Sequence, residues 1–121
     1  MKEKRKSIRV NVNNICDIKV QGLTSFDYCF LKDISILGVG FLSPEVYQRG
    51  EKADLTIVLD TKIIELEISV IATYYKKEKE GQNRYGAEII NINDASKQIL
   101  EEYVTNKIHE SLSEKVKQLI K

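Results

Sequence analysis

Apolar and polar side chains alternate one by one along much of the chain before residue 93. In the segment 15–20, the apolar Cys16, Ile18 and Val20 share one face, and the polar residues between them share the other. A period of two with β-branched residues is typical of a half-buried strand. Similar extended patterns, separated by turn residues, cover 26–33, 39–42, 54–59, 63–75 and 84–92. We therefore expect roughly six or seven short antiparallel strands, as in a small barrel or sandwich.

The pattern changes at residue 93, where apolar residues begin to recur every three or four positions. Asn93 or Asp94 can cap a helix at this point. The recurring apolar positions are Ile99, Leu100, Tyr103, Val104, Ile108, Leu112, Val116 and Leu119. This spacing predicts an amphipathic helix packed on the strands, or two short helices if Ser111 and Glu114 form an internal capping box. An alternative for the distal half is contact with a partner or a second subunit.

The composition is that of one globular domain. With 121 residues, of which 42% are hydrophobic and 31% charged, the chain can bury a core of its own, and we expect a single domain over residues 1–121. No run of about 18 apolar residues occurs, and none of signal-peptide length follows the first residues. We therefore expect a cytoplasmic protein that does not insert into a membrane.

The residues that usually perform catalysis or hold metals are sparse. Cys16 and Cys29 form no CxxC motif and fall in strand-like segments, so we expect them to be reduced, half-buried packing residues. His109 lies far downstream, where we expect it on a helix surface. Without a Cys/His or Ser/His/Asp constellation, we expect no metal site, no cofactor and no enzymatic activity.

Two short features carry candidate chemistry. The first nine residues have a local charge of +4, against +1 for the whole chain, and include Arg5 and Arg9. Such a basic tail either stays solvated or binds an anion such as a phosphate. The second feature is Asp33, Ser35 and Gly38, which lie where two strands are expected to join. Either feature alone is weak, and the second could simply be an Asx or Ser turn.

Together, in this order and with 23 residues between Arg9 and Asp33, the two features resemble the RxxxR and [D/N]xSxxG motifs of the PilZ domain family. The resemblance covers about residues 4–112. It implies a mainly β fold, a six-stranded antiparallel barrel followed by a C-terminal helix or two short helices. The barrel is expected over 11–92, with a flexible basic tail over 1–10 and the helical segment over 94–121.

The resemblance also implies a ligand, cyclic di-GMP, held by Arg5, Arg9, Asp33, Ser35 and Gly38. This ligand carries two phosphodiesters and two guanines, and a guanidinium can bind phosphate, pair with guanine O6 and N7, or stack on a base. Asp33 can accept from a guanine edge or hold an arginine in place, and Ser35 offers one donor and two acceptors. Gly38 would let the backbone turn sharply and approach the ligand.

The position before the first arginine, Lys4, is a secondary candidate contact, because this position varies in the family and bears on whether one ligand or a stacked pair is held. The resemblance implies a non-catalytic bacterial receptor that acts on motility, adhesion or exopolysaccharide output through a partner protein. Two alternatives remain: an adaptor without ligand binding, and a barrel that binds single-stranded nucleic acid. The second is disfavoured because positive charge is confined to the tail. Monomer and homodimer are both compatible with the sequence.

Overall fold

The fold is a closed β-barrel followed by one long helix, and it was obtained as a computed structural model that describes residues 8–22, 27–74 and 82–120. Within these ranges the elements are β1 (Val10–Val20), β2 (Asp27–Ile34), β3 (Gly38–Ser43), β4 (Lys52–Leu59), β5 (Lys62–Tyr74), β6 (Asn83–Ile92) and α1 (Asp94–Leu119). The strands close in the order β1-β2-β3-β6-β5-β4, and all neighbours are antiparallel. The predicted six-stranded antiparallel barrel with a C-terminal helix is confirmed, and the helix is one element rather than two.

The apolar side chains of the alternating pattern fill the interior of the barrel. On β4 the side chains of Leu55, Ile57 and Leu59 are buried, while the residues between them lie toward the outside. Phe41 and Tyr85, on the paired strands β3 and β6, stack inside with ring centroids 5.4 Å apart. Because the sheet closes on itself, the apolar interior is covered without leaving an unpaired strand edge.

The two cysteines lie opposite each other on β1 and β2. Cys16 and Cys29 are register partners, both are free thiols, and their sulfur atoms are 3.2 Å apart. Both side chains are buried, which is deeper than the half-buried position expected from the sequence. The contact with Cys16, together with burial, raises the pKa of Cys29. These thiols therefore pack as small apolar groups.

Strand β1 starts earlier than the alternation indicates. The sequence pattern places the first strand at 15–20, whereas β1 begins at Val10. A bulge separates Asn11 from Asn14, and Asn13 within it has a φ of 61°, in the left-handed region that asparagine tolerates. Exposure still alternates through the bulge, but the polar Asn14 is half-buried while the apolar Ile15 is 70% exposed, so this part of the strand is hidden in the sequence. Before the bulge, Asn11 pairs with Asp33.

The helix α1 packs on the barrel mainly through its first half, with Ile108 adding a further contact to the core. Asn93 caps its N-terminus, where the side-chain oxygen accepts a hydrogen bond from the Ser96 amide at 2.7 Å. Leu100, Tyr103 and Val104 are buried against a barrel wall that includes β5 and β1. The distal half, residues 105–119, extends away from this contact and is mostly exposed.

Candidate ligand-binding site

Asp33 is the centre of a charged cluster near the end of β2. Its carboxylate is mostly buried, with 12% of the side chain exposed, and each oxygen accepts from a different arginine. Arg9 donates from Nη1 to Oδ1 at 2.9 Å, and Arg84 donates from Nη2 to Oδ2 at 3.2 Å. Charge-assisted contacts of this kind are roughly twice as strong as neutral hydrogen bonds. We call Arg9, Asp33 and Arg84 the Asp33 cluster.

The Asp33 cluster has an excess of positive charge. Two guanidinium groups surround one carboxylate, and both arginine side chains remain partly exposed, at 19% for Arg9 and 29% for Arg84. A guanidinium has five N–H donors, so a single carboxylate contact leaves donors on Arg9 that can face an incoming anion. The two arginines can therefore neutralise the Asp33 carboxylate and still attract a phosphate.

A glycine on β3 makes room for the carboxylate of Asp33. Gly40 is the register partner of Asp33, and a Cβ added at Gly40 would lie 2.8 Å from Asp33 Oδ1. Such a distance is too short for a carbon–oxygen contact. The absence of a side chain on Gly40 therefore positions the carboxylate over the strand, between the two arginines.

Gly38 allows a close packing of strands that the sequence did not indicate. We expected it to allow a sharp turn, but its φ is not in the left-handed region, and it is the first residue of β3. A Cβ at Gly38 would meet the carbonyl oxygen of Ala87 on β6 at 2.7 Å, and Nη2 of Arg9 at 3.5 Å. Its small size thus permits the close approach of β6 and leaves space for the Arg9 guanidinium.

Ser35 holds together the bend between β2 and β3. Its hydroxyl oxygen accepts from the amides of Leu37 and Gly38 at 3.2 and 3.1 Å, and its own amide donates to the Gly38 carbonyl at 2.8 Å. The side chain is 2% exposed. These contacts correspond to the Ser turn that the sequence left open as an alternative, and they shape the backbone that joins Asp33 to Gly38.

The structure brings together only part of the site expected from the sequence. Arg9, Asp33 and Gly38 meet, and Ser35 supports the bend between the last two. Arg5 and Lys4 lie outside the described residues. Arg84 was not identified from the sequence, because its place beside Asp33 depends on β6 pairing with β3, where Arg84 is opposite Leu42.

Other kinds of site have little support in the described part of the chain. There, no group of three or more His, Cys, Asp and Glu side chains is arranged to hold a metal ion. His109 is exposed on α1, as expected from the helical pattern. Among the residues described, no helix is long and apolar enough to cross a membrane.

The barrel, its helix and the Asp33 cluster define a small β-barrel domain that carries two arginines paired with one mostly buried carboxylate on its wall. The family model described as PilZ domain matches residues 3–106, and the chain belongs to this family. The match contains both sequence motifs and ends within α1. No curated protein matches the sequence.

Solved structures share the fold at low sequence identity. The PilZ domain of YcgR from Escherichia coli, solved with c-di-GMP, is 17% identical over 95% of this chain and 99% of that chain, with a TM-score of 0.72. The Bacillus subtilis inhibitor of motility, MotI/DgrA, is 21% identical over 92% of this chain and 52% of that one, with a TM-score of 0.69. The MrkH–c-di-GMP complex from K. pneumonia is 12% identical over 93% and 56%, with a TM-score of 0.74. The chain thus spans only about half the length of the MotI and MrkH chains.

Proposed function

We propose that this chain is a non-catalytic receptor for cyclic di-GMP and that Arg5, Arg9, Asp33, Ser35 and Gly38 form its binding site. The observation that carries the proposal is the Arg9–Asp33 ion pair at 2.9 Å, which unites the two motifs of the sequence in one place. Membership of the PilZ domain family supports the same conclusion. So do the structural neighbours YcgR and MrkH, whose structures contain c-di-GMP.

The chemistry of the Asp33 cluster suits such a ligand. Arg9 offers donors to a phosphodiester or to the O6 and N7 acceptors of guanine, and Asp33 can accept from the N–H donors of a guanine. Arg5 would add a second guanidinium, and Lys4 a secondary cationic contact. Ser35 is proposed both to shape the bend and to contact the ligand.

The proposed output is a change in contact with a partner protein. The distal half of α1 exposes Leu112, Val116 and Leu119. We propose that ligand binding changes how this face and the N-terminal tail meet a partner. Control of motility, adhesion or exopolysaccharide production would then be exerted through that partner. The protein would work in the cytoplasm, as a monomer or a homodimer.

Isothermal titration with cyclic di-GMP tests the binding proposal. The unmodified protein should bind with micromolar or tighter affinity, and Arg5→Ala, Arg9→Ala or Asp33→Ala should each weaken binding by about tenfold or more, as expected for losing a charged hydrogen bond. Arg49→Ala is the matched control, because Arg49 is exposed in the turn before β4 and should leave the affinity unchanged. Cyclic di-AMP, which lacks the guanine O6 acceptor, should bind much more weakly. Absence of binding heat with the unmodified protein would exclude the receptor and favour an adaptor role.

A further inference from the structure

A groove runs between the segment 8–11 and the distal half of α1, next to the Asp33 cluster. Its volume is about 390 Å³. Apolar lining comes from Ile8, Ile108 and Leu112, and cationic lining comes from Arg9, Lys107 and Lys115. We call this feature the helix groove. Since Arg9 belongs both to the helix groove and to the Asp33 cluster, the two sites are continuous.

The charge of the helix groove favours an anion. Three cations and no carboxylate line it among the described residues. Lys107 is partly engaged elsewhere, because its Nζ lies 3.7 Å from Glu110 and 5.4 Å from the ring centre of Tyr103. Lys107 and Lys115 are eight residues apart on α1, a separation of about 12 Å along the helix axis. They can therefore contact two well-separated anionic groups, or one such group from either side.

The apolar residues of the helix groove indicate that the ligand is also flat or hydrophobic in part. Ile8 and Leu112 are 63% and 54% exposed, so their surface is available to another molecule. Ligand pockets typically measure about 300–1,000 Å³. At the low end of this range, the helix groove has room for part of a dinucleotide, while the remainder contacts the Asp33 cluster.

We propose that the dinucleotide bound at the Asp33 cluster extends into the helix groove, where Lys107 and Lys115 bind a phosphodiester and Ile8 and Leu112 pack against a base or ribose. This inference rests on the proposed function. It makes α1 part of the binding site as well as part of the output surface. The bound dinucleotide then contacts both the barrel and the distal half of α1.

Removing the two lysine charges provides the first test. The double variant Lys107→Gln/Lys115→Gln should bind cyclic di-GMP about tenfold more weakly, since each partly exposed cation contributes a factor of roughly two to five. Lys117→Gln is the matched control, because Lys117 is an exposed lysine of the same helix that does not line the helix groove. The loss should shrink at high salt, as the Debye length falls from about 8 Å at physiological ionic strength to about 3 Å at 1 M. Affinity equal to that of Lys117→Gln would overturn the inference.

A tryptophan reporter provides a second test, since the chain contains no tryptophan. Leu112→Trp places an indole in the helix groove, and cyclic di-GMP should quench or shift its emission at saturation. Leu119→Trp is the control, because Leu119 is 82% exposed farther along α1 and does not line the groove. Equal responses at both positions, or none at either while heat of binding is observed, would place the ligand outside the groove. If the unmodified protein shows no binding heat, the proposed function itself fails together with this inference.

Discussion

The interior of the barrel and the Asp33 cluster on its wall are built from the same strands, but they depend on different properties of the side chains. Inside, Leu31 and Phe41 face each other across β2 and β3 and are completely buried. A few residues farther along the same two strands, Asp33 and Gly40 are partners, and a carboxylate lies over a bare glycine. The interior is stabilised by the volume of its apolar side chains. The Asp33 cluster depends on its charges and on the absence of a side chain at Gly40. Substitutions should therefore have different consequences in the two regions.

The largest effect is expected from a cavity in the interior. Ile57→Ala removes a completely buried side chain of β4 and should lower the free energy of unfolding by about 2–5 kcal/mol. Val58→Ala is the matched control, because the next residue on β4 is 48% exposed and its truncation should cost less than about 1 kcal/mol. Urea unfolding measures both. Equal losses at the two positions would contradict the assignment of inner and outer faces.

An intermediate loss of stability is expected from alanine at Gly38 or Gly40, because neither position has room for a Cβ. Gly40→Ala should cost about 1–3 kcal/mol, because its Cβ would push against the Asp33 carboxylate. Gly38→Ala should cost at least as much, since the obstacle is the backbone carbonyl of Ala87. In an Asp33→Ala background, the cost at Gly40 should largely disappear and the cost at Gly38 should persist. A double-mutant cycle from urea unfolding checks this coupling, and an unchanged cost at Gly40 would show that Asp33 is not the obstacle.

The smallest effect is expected at Arg84. Arg84→Gln removes one of the two cations that contact Asp33 and should lower the free energy of unfolding by about 0.5–1 kcal/mol, because the pair is only partly buried and Arg9 still holds the carboxylate. Arg49→Gln, in an exposed turn, serves as the control and should be close to neutral. If the two variants unfold at the same urea concentration, the contact between Arg84 and Asp33 contributes nothing to stability.

Much of the barrel could be predicted because burial on one side imposes a period of two. The strands β4, β5 and β6 were placed within a few residues of their observed bounds by that period alone. The start of β1 could not be predicted in this way, because the polar Asn14 is half-buried and the apolar Ile15 is 70% exposed, the reverse of what their polarity indicates. The bulge between Asn11 and Asn14 lies at the same place, and no pattern of polar and apolar residues indicates it.

The residues of the Asp33 cluster that belong to the two sequence motifs could be predicted. The contacts that depend on how β3 pairs with β6 could not. That Arg9 and Asp33 would share one site was expected from two motifs in one sequence order. The close approach of Gly38 to Ala87 was not anticipated, because Ala87 comes from β6, far along the chain. Arg84 was missed for the same reason, since only the pairing of β3 with β6 brings it to Asp33.

The antiparallel pairing of β1 with β2 has a consequence for how the site can vary among proteins. Arg9 immediately precedes β1 and Asp33 lies near the end of β2, so the two are neighbours although they are 24 positions apart. The number of residues between them reflects the length of the hairpin, because the turn that joins the strands is at its opposite end. One residue can be added to or removed from each strand near that turn without separating Arg9 from Asp33. Chains with quite different motif spacing can therefore carry the same constellation.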